Sequence, residues 1–194
     1  IKKILFYNDS TVYGGHEIMS IKIANLLSTF SEYSIEFMYF NKKIKSMLNK
    51  DIKTHSSLYS DKTPLPFIRN LNIYKILKIK KKISNINPDC IIICQGTIEL
   101  SLKGLIASKL LNKKTISYLP YGNTFNEIGA ILSFLRDFIN KNYYSFPDYF
   151  ITPNAFQKQL ISKQIKHNEI FIISNPINIK NDVPIVFKLN TKIS

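Results

Sequence analysis

The chain has 194 residues, 45% hydrophobic and 12% aromatic, which excludes a disordered or collagen-like polymer and leaves enough material for a substantial core. Its net charge of +14 invites a nucleic-acid reading, yet Arg69 and Arg136 are the only arginines among 27 basic residues. Bidentate readers of bases are usually arginines, so no specific nucleic-acid partner is expected; diffuse lysine charge suits an anionic membrane surface better. No apolar run reaches the roughly 18 uncharged residues of a membrane span. "IKKILFYNDS" turns polar too soon for a signal peptide. An opening Ile1 in place of Met is expected of a trimmed chain.

In chain order, "KKILFYN" (2–8) is rich in β-formers and leads into "DSTVYGGHE", where two of the six glycines stand side by side. Adjacent glycines permit φ > 0 and let a ligand approach without a Cβ in the way. At a helix start their amides would suit a phosphate or carboxylate; a tight turn with no ligand fits equally. Met19, Ile23, Leu26, Leu27 and Phe30 then recur at helical spacing over 17–30, and "SIEFMYF" (34–40) reads as a second strand. Strand, glycine loop, helix and strand make a βαβ unit and imply a parallel sheet.

Residues 41–48 are expected to form a short helix, 51–55 a weak edge strand and 56–67, with two prolines, a surface loop. Residues 72–86 form a basic helix, with Ile73, Ile76, Leu77, Ile83 and Ile86 set among Lys75, Lys78, Lys81 and Lys82. "CIIIC" (90–94) suits a central strand buried on both faces. Cys90 and Cys94 would lie about 13 Å apart on one face of it, too far for a disulfide, so they read as buried thiols of a reducing compartment. A helix over 99–111, a strand over 115–119, a helix over 127–143 with Ile128, Ile131, Leu135 and Phe138 on one face, a strand over 148–152, a helix over 154–164 and a strand over 170–174 follow. Seven strands alternating with helices predict an open, doubly wound, Rossmann-like α/β sheet with helices on both faces.

Ligands of such sheets bind beyond the carboxyl ends of the strands. The loops there are Asp9–His16, "QGTIE" (95–99), "PYGNTFNE" (120–127) and "TPN" (152–154). Their candidates for substrate or phosphate contact are Gly14, Gly15, Gly96, Thr97, Tyr121, Gly122, Asn123 and Asn154, joined by Arg136 from the following helix. No G-x-G-x-x-G is present and strand two ends "YFNKK" without a ribose-binding carboxylate, which excludes a nicotinamide dehydrogenase pattern. Neither a P-loop nor a G-x-S-x-G elbow occurs, and no His/Cys cluster has zinc spacing.

Four segments in this order carry a resemblance: "KILFYND" followed by "GGHE" and a helix; "PDCIIICQG" before "LKGLIASKLL"; "DYFITPNAFQKQLI"; and "EIFIISNPIN" (169–178). Together they resemble the N-terminal domain of a GT-B glycosyltransferase of the family 4 type, over residues 2–178. Pro176 stands where the family usually has glycine. The resemblance implies an acceptor-side domain, with the glycine loop near the diphosphate of a nucleotide-sugar donor and no metal or cofactor. Residues 179–194 would be a tail or the start of a C-terminal donor-binding domain, whose E-x7-E carboxylates this chain lacks.

Catalytic candidates under that resemblance are His16, Glu17 and Asn123. Many members carry a His after the strand matching 115–119, where Pro120, Tyr121 or Asn123 stands here. His16 is then a substitute from the glycine loop or a plain turn residue, and Glu17 an acceptor contact or a helix-start carboxylate. Arg136 would reach an acceptor phosphate or pair with a carboxylate. The implied setting is the cytoplasmic face of a bacterial membrane, with a glycan or lipid-linked acceptor and the basic helix 72–86 docking on lipid or simply packing its isoleucines. The rival is a non-catalytic, membrane- or partner-binding subunit that supplies half of a cleft. A flavodoxin- or response-regulator-like domain draws slight support from Asp9 but would need an aspartate at the end of the central strand, where Cys94 and Gln95 stand; an epimerase of the same two-domain architecture is a further alternative.

Overall fold

The computed structural model describes residues 1–57, 72–165 and 169–174. Most of the expected loop 56–67, and the whole stretch from 175 onward with the expected domain boundary at 178, lie outside them. Seven strands form one sheet: β1 (Lys2–Asn8), β2 (Tyr33–Tyr39), β3 (Lys53–Ser56), β4 (Cys90–Cys94), β5 (Lys114–Tyr118), β6 (Tyr149–Thr152) and β7 (Glu169–Ile172). Their order is β3-β2-β1-β4-β5-β6-β7 and every pairing is parallel. β1 pairs with β2 from Lys2 opposite Tyr33 to Asn8 opposite Tyr39, and with β4 from Ile4 opposite Cys90 to Tyr7 opposite Ile93. The order reverses between β1 and β4, so the loops after these two strands flank the crevice where such sheets take ligands.

The helices are α1 (Gly15–Ser28), α2 (Lys42–Lys45), α3 (Ile73–Ile86), α4 (Leu102–Leu110), α5 (Ser133–Asn140) and α6 (Ala155–Ser162), with a 3-10 turn over Lys141–Ser145. Right-handed crossovers put helices on opposite faces once the winding direction changes. Accordingly Met19, Ile21 and Ala24 of α1 and Ile44 of α2 pack with Phe6, Phe37 and Ile92 on one face. Ile76, Ile79 and Ile83 of α3, Leu102 and Leu105 of α4 and Ile161 of α6 pack with Leu5, Ile91, Ile93 and Phe150 on the other. The first face continues across β5 to β7 without a described helix, leaving Ile116, Tyr149 and Ile151 half-buried and Phe171 exposed.

Strand positions follow the sequence reading to within a residue or two, because every strand but the short edge strand β3, KTHS, carries apolar residues in a run or in alternation. Cys90 and Cys94 are free thiols, and complete burial pushes Cys94 up to about 12, which keeps it uncharged and unreactive. Three helical expectations need correction. α1 starts two residues before position 17 and buries Met19, Ser20, Ile21 and Ala24, while Leu26 and Phe30 stay exposed. α4 begins at Leu102, not 99, because Ser101 takes a left-handed φ of 56°. The helix expected over 127–143 is only α5: Gly129 at φ 64° and Leu132 at φ 55° break it upstream, and the 3-10 turn tightens it downstream. Its supposed core face, Ile128, Ile131, Leu135 and Phe138, lies in solvent.

Candidate functional site

All loops that follow strands emerge at one edge of a parallel sheet, and two of them are tied together here. Asn8, the last residue of β1, is fully buried and its Oδ1 accepts from Ser10 N at 2.9 Å. Asp9 N donates to Ser101 Oγ, which in turn donates to the Cys94 carbonyl, so the loop after β1 is bound to the loop after β4. The buried Lys103 ammonium stands 3.6 Å from Asp9 Oδ2, and the Tyr7 hydroxyl donates to the same oxygen. Gln95 Nε2 donates to the carbonyls of Ile98 and Leu100 while its Oε1 accepts from Ser117 Oγ, which fixes the β4 loop against β5.

Gly14 is extended at φ −146° and Gly15 is the first residue of α1, so neither uses the left-handed region that the doublet permits. Gly14 N donates to Glu17 Oε2 at 2.8 Å, closing the first turn of α1. The His16 Nε2 lies 2.5 Å from Glu17 Oε1 but outside hydrogen-bond geometry, and the ring packs on Gly96, where a Cβ would meet His16 Nδ1 at 3.1 Å. The structure therefore brings together Gly14, Gly15, His16, Glu17 and Gly96. His16 Nε2 and Glu17 Oε1 are buried there against each other, and Asn8 Nδ2 is buried with no polar partner. Orphaned buried polar atoms are few in native folds and call for an explanation.

Burial pushes the Glu17 carboxyl upward, but the His16 imidazole beside it and the Ser10 hydroxyl outweigh that and hold it below its ordinary value. A carboxyl with a depressed folded pKa stabilises the fold above its unfolded pKa and loses that contribution as pH falls through the folded one. Glu17→Gln is thus expected to lower the unfolding free energy at neutral pH by about 1–2 kcal/mol. The gap to the parent closes as pH falls below about 4, read from denaturant midpoints at a series of pH values.

The remaining sequence candidates sit apart. Gly122 packs on α6, with its N–H given to Gln157 Oε1 and no room for a Cβ beside Ile161. Asn154 caps α6 by accepting from Gln157 N, and Tyr121 is exposed beside half-buried Asn123. Thr97 is half-buried in the β4 loop. Arg136 is engaged by a carboxylate: its Nε and Nη2 donate to Glu99 Oε1 and Oε2 at 3.0 and 2.8 Å, its guanidinium stacks on Phe125, and Asn140 Nδ2 adds a third bond to Glu99. Glu99, Gln95 and Asn8 were not singled out by sequence; the available signal was a lone polar side chain at the end of an apolar strand, or just past it, in a sheet buried on both faces.

A cavity of about 300 Å³ lies under α3, lined by Met38, Ser57, Ile79 and Lys82 among others, and shares no residue with this cluster. Among the described residues no group of three or more His, Cys, Asp and Glu is placed to hold a metal ion, and no helix is long and apolar enough to cross a membrane.

No protein family description and no curated protein matches the sequence. Solved structures do match in fold. A UDP-GlcNAc 2-epimerase from Neisseria meningitidis, solved bound to UDP-GlcNAc, is 12% identical with a TM-score of 0.65 over 88% of this chain and 45% of its own. Anabaena HepE, solved with UDP and glucose, is 17% identical with a TM-score of 0.64 over 93% of this chain and 46% of its own. The lipopolysaccharide outer core galactosyltransferase WaaB is 18% identical with a TM-score of 0.57 over 93% of this chain and 47% of its own. The chain spans just under half the length of each, and its fold is that of a GT-B N-terminal domain.

Proposed function

We propose that the chain is the acceptor-side half of a nucleotide-sugar-dependent glycosyltransferase that builds a surface polysaccharide or glycolipid at the cytoplasmic face of a bacterial membrane. One observation supports its nucleotide-sugar part. Packing or backbone conformation accounts for glycine at positions 96, 104, 122 and 129, whereas at Gly14 and Gly15 neither does: an added Cβ meets only Glu17 Oε2 at 3.5 Å in the first case and nothing within 4 Å in the second. A molecule approaching from outside the protein would account for that bare backbone. The exposed start of α1 offers the amides of Gly15 and His16 and the positive end of a 14-residue helix, beside the buried, unpartnered Asn8 Nδ2. A diphosphate fits those groups. Structures of the same fold were solved with UDP-GlcNAc or UDP, which supports a nucleotide sugar as ligand.

In that reaction the anomeric carbon–oxygen bond to the diphosphate breaks, a new bond forms to an acceptor hydroxyl, and the acceptor proton leaves. The α1 amides would meet the charge that grows on the departing nucleoside diphosphate. His16, Glu17 and Asn123 stay the candidates for contact with the reacting sugar or acceptor, and Glu17 also closes the helix turn. A second domain or partner subunit would supply the other wall of the cleft; without transfer activity in such an assembly, the chain would be a non-catalytic binding subunit.

Gly15→Ala separates a ligand role from a folding role. The fold has room for the methyl group, so thermal stability is expected to hold or to rise by up to about 1 kcal/mol. Affinity for UDP, measured by calorimetry, is expected to fall at least about tenfold, or 1.4 kcal/mol. Equal UDP affinity in the variant and the parent would overturn the assignment.

A further inference from the structure

Helix α5 is turned inside out. Its polar residues face the protein: Arg136 and Asn140 bind Glu99, and Asp137 accepts from Phe125 N at 2.7 Å and Asn126 N at 3.0 Å. Its apolar residues face water, with Phe134 84% and Phe138 71% exposed and Leu135 at 43%. Ile128, Ile131 and Leu132 extend the patch upstream, Ile131 being 80% exposed. A helix on the surface of a domain normally shows the reverse pattern, and a contiguous exposed apolar patch of this kind marks an interaction surface.

We propose that α5, with the Ile128–Leu132 turn before it, seats in the headgroup–acyl boundary of an anionic bilayer. Charge decides between occupants. The helices on this face of the sheet present Lys78, Lys81, Lys109, Lys141 and Lys158, Asp137 is the sole carboxylate in α3, α4, α5, α6 and the 3-10 turn, and Glu127, exposed just before the patch, is tied to Thr124 N. The Asp137 carboxylate is turned inward on backbone amides. A second copy would bring the same lysines and a like net charge of +14 against this face. An anionic lipid surface accepts the phenylalanines and attracts the lysines of the neighbouring helices. The inference deepens the membrane-side part of the function proposed above, and it moves the contact from α3 to α5: Ile76, Ile79 and Ile83 of α3 are committed to the core, and the residues α3 leaves exposed, Ile73, Tyr74 and Leu77, include no phenylalanine.

The chain contains no tryptophan, so single substitutions provide clean reporters. Phe134→Trp on α5 and Tyr74→Trp on α3 both place an indole where an exposed ring already stands. With vesicles of phosphatidylglycerol and phosphatidylethanolamine, Phe134→Trp emission is expected to shift to the blue and to be quenched by bromine-labelled acyl chains. Tyr74→Trp emission is expected to stay at its solvent position, and neither reporter to respond to phosphatidylcholine. Adding Phe138→Ser to the first reporter is expected to weaken vesicle binding about tenfold or more. Unchanged Phe134→Trp emission with anionic vesicles overturns the proposal. So does a response of Tyr74→Trp in its place, which would assign the contact to α3, or a concentration-dependent blue shift without vesicles, which would assign the patch to self-association. UDP affinity is read separately, so failure here leaves the nucleotide reading standing.

Discussion

Glu99→Gln is expected to destabilise the fold by about 3–5 kcal/mol, the usual cost of breaking a buried ion pair from one side. The Glu99 side chain is 2% exposed and that of Arg136 15%, so neither charge has water to fall back on. Glu99 collects both Arg136 nitrogens and the Asn140 amide, which makes it the anchor that holds α5 to the loop after β4. A neutral amide in place of that carboxylate would leave the guanidinium stacked on Phe125 and uncompensated. Replacing both partners, as Glu99→Leu with Arg136→Met, should recover much of the loss because no lone charge remains. Chemical denaturation of Glu99→Leu, Arg136→Met and the double variant measures the coupling. Independent, additive losses would show that the pair is incidental.

Gly104→Ala is expected to destabilise the fold by about 2 kcal/mol or more, against the sign that helix propensity gives. Within a helix, alanine for glycine ordinarily gains up to about 1 kcal/mol. Here α4 crosses β1 so closely that a Cβ on Gly104 would lie 2.2 Å from Tyr7 Cδ1 and 2.3 Å from its Cε1. Tyr7 is fully buried and its hydroxyl is held on Asp9, so the ring has nowhere to turn, and overpacking of this sort costs about 1–3 kcal/mol or more beyond the propensity gain. Thermal unfolding of Gly104→Ala alone and with Tyr7→Leu checks the cause: the smaller neighbour should restore part of the lost stability. The same substitution at Gly15, where the space is open, supplies the contrast within one protein.

The sheet was legible because the strands other than the polar edge strand β3 are short apolar segments set between longer helical ones, and that alternation ordered the elements. α5 was not, although its helical period is plain. The side that carries Ile131, Leu135 and Phe138 has the look of a core side, and what turns it outward is Glu99, a residue 37 positions away that binds Arg136. Local pattern holds no record of such a contact. The glycine doublet shows a different gap. Two reasons for it can be read from sequence, unusual φ and close approach; the structure removes the first by placing Gly14 in extended and Gly15 in helical backbone. Grouping of His16, Glu17 and Gly96 depends on the adjacency of β1 and β4, strands more than 80 residues apart in the chain, and that follows from topology rather than from any motif. Gly122 and Asn154 belong to loops of the right kind, yet each serves α6.

The most direct measurement is a titration of the isotopically labelled chain with UDP, followed by the shifts of its backbone amides in solution. Saturable shifts concentrated at Gly14, Gly15, His16 and Glu17 are expected, reproduced in part by pyrophosphate, because the helix start binds the diphosphate whatever base it carries. Shifts that gather elsewhere, or none at UDP concentrations around 10 mM, where an affinity of even about −4 kcal/mol would be saturating, would contradict the diphosphate reading.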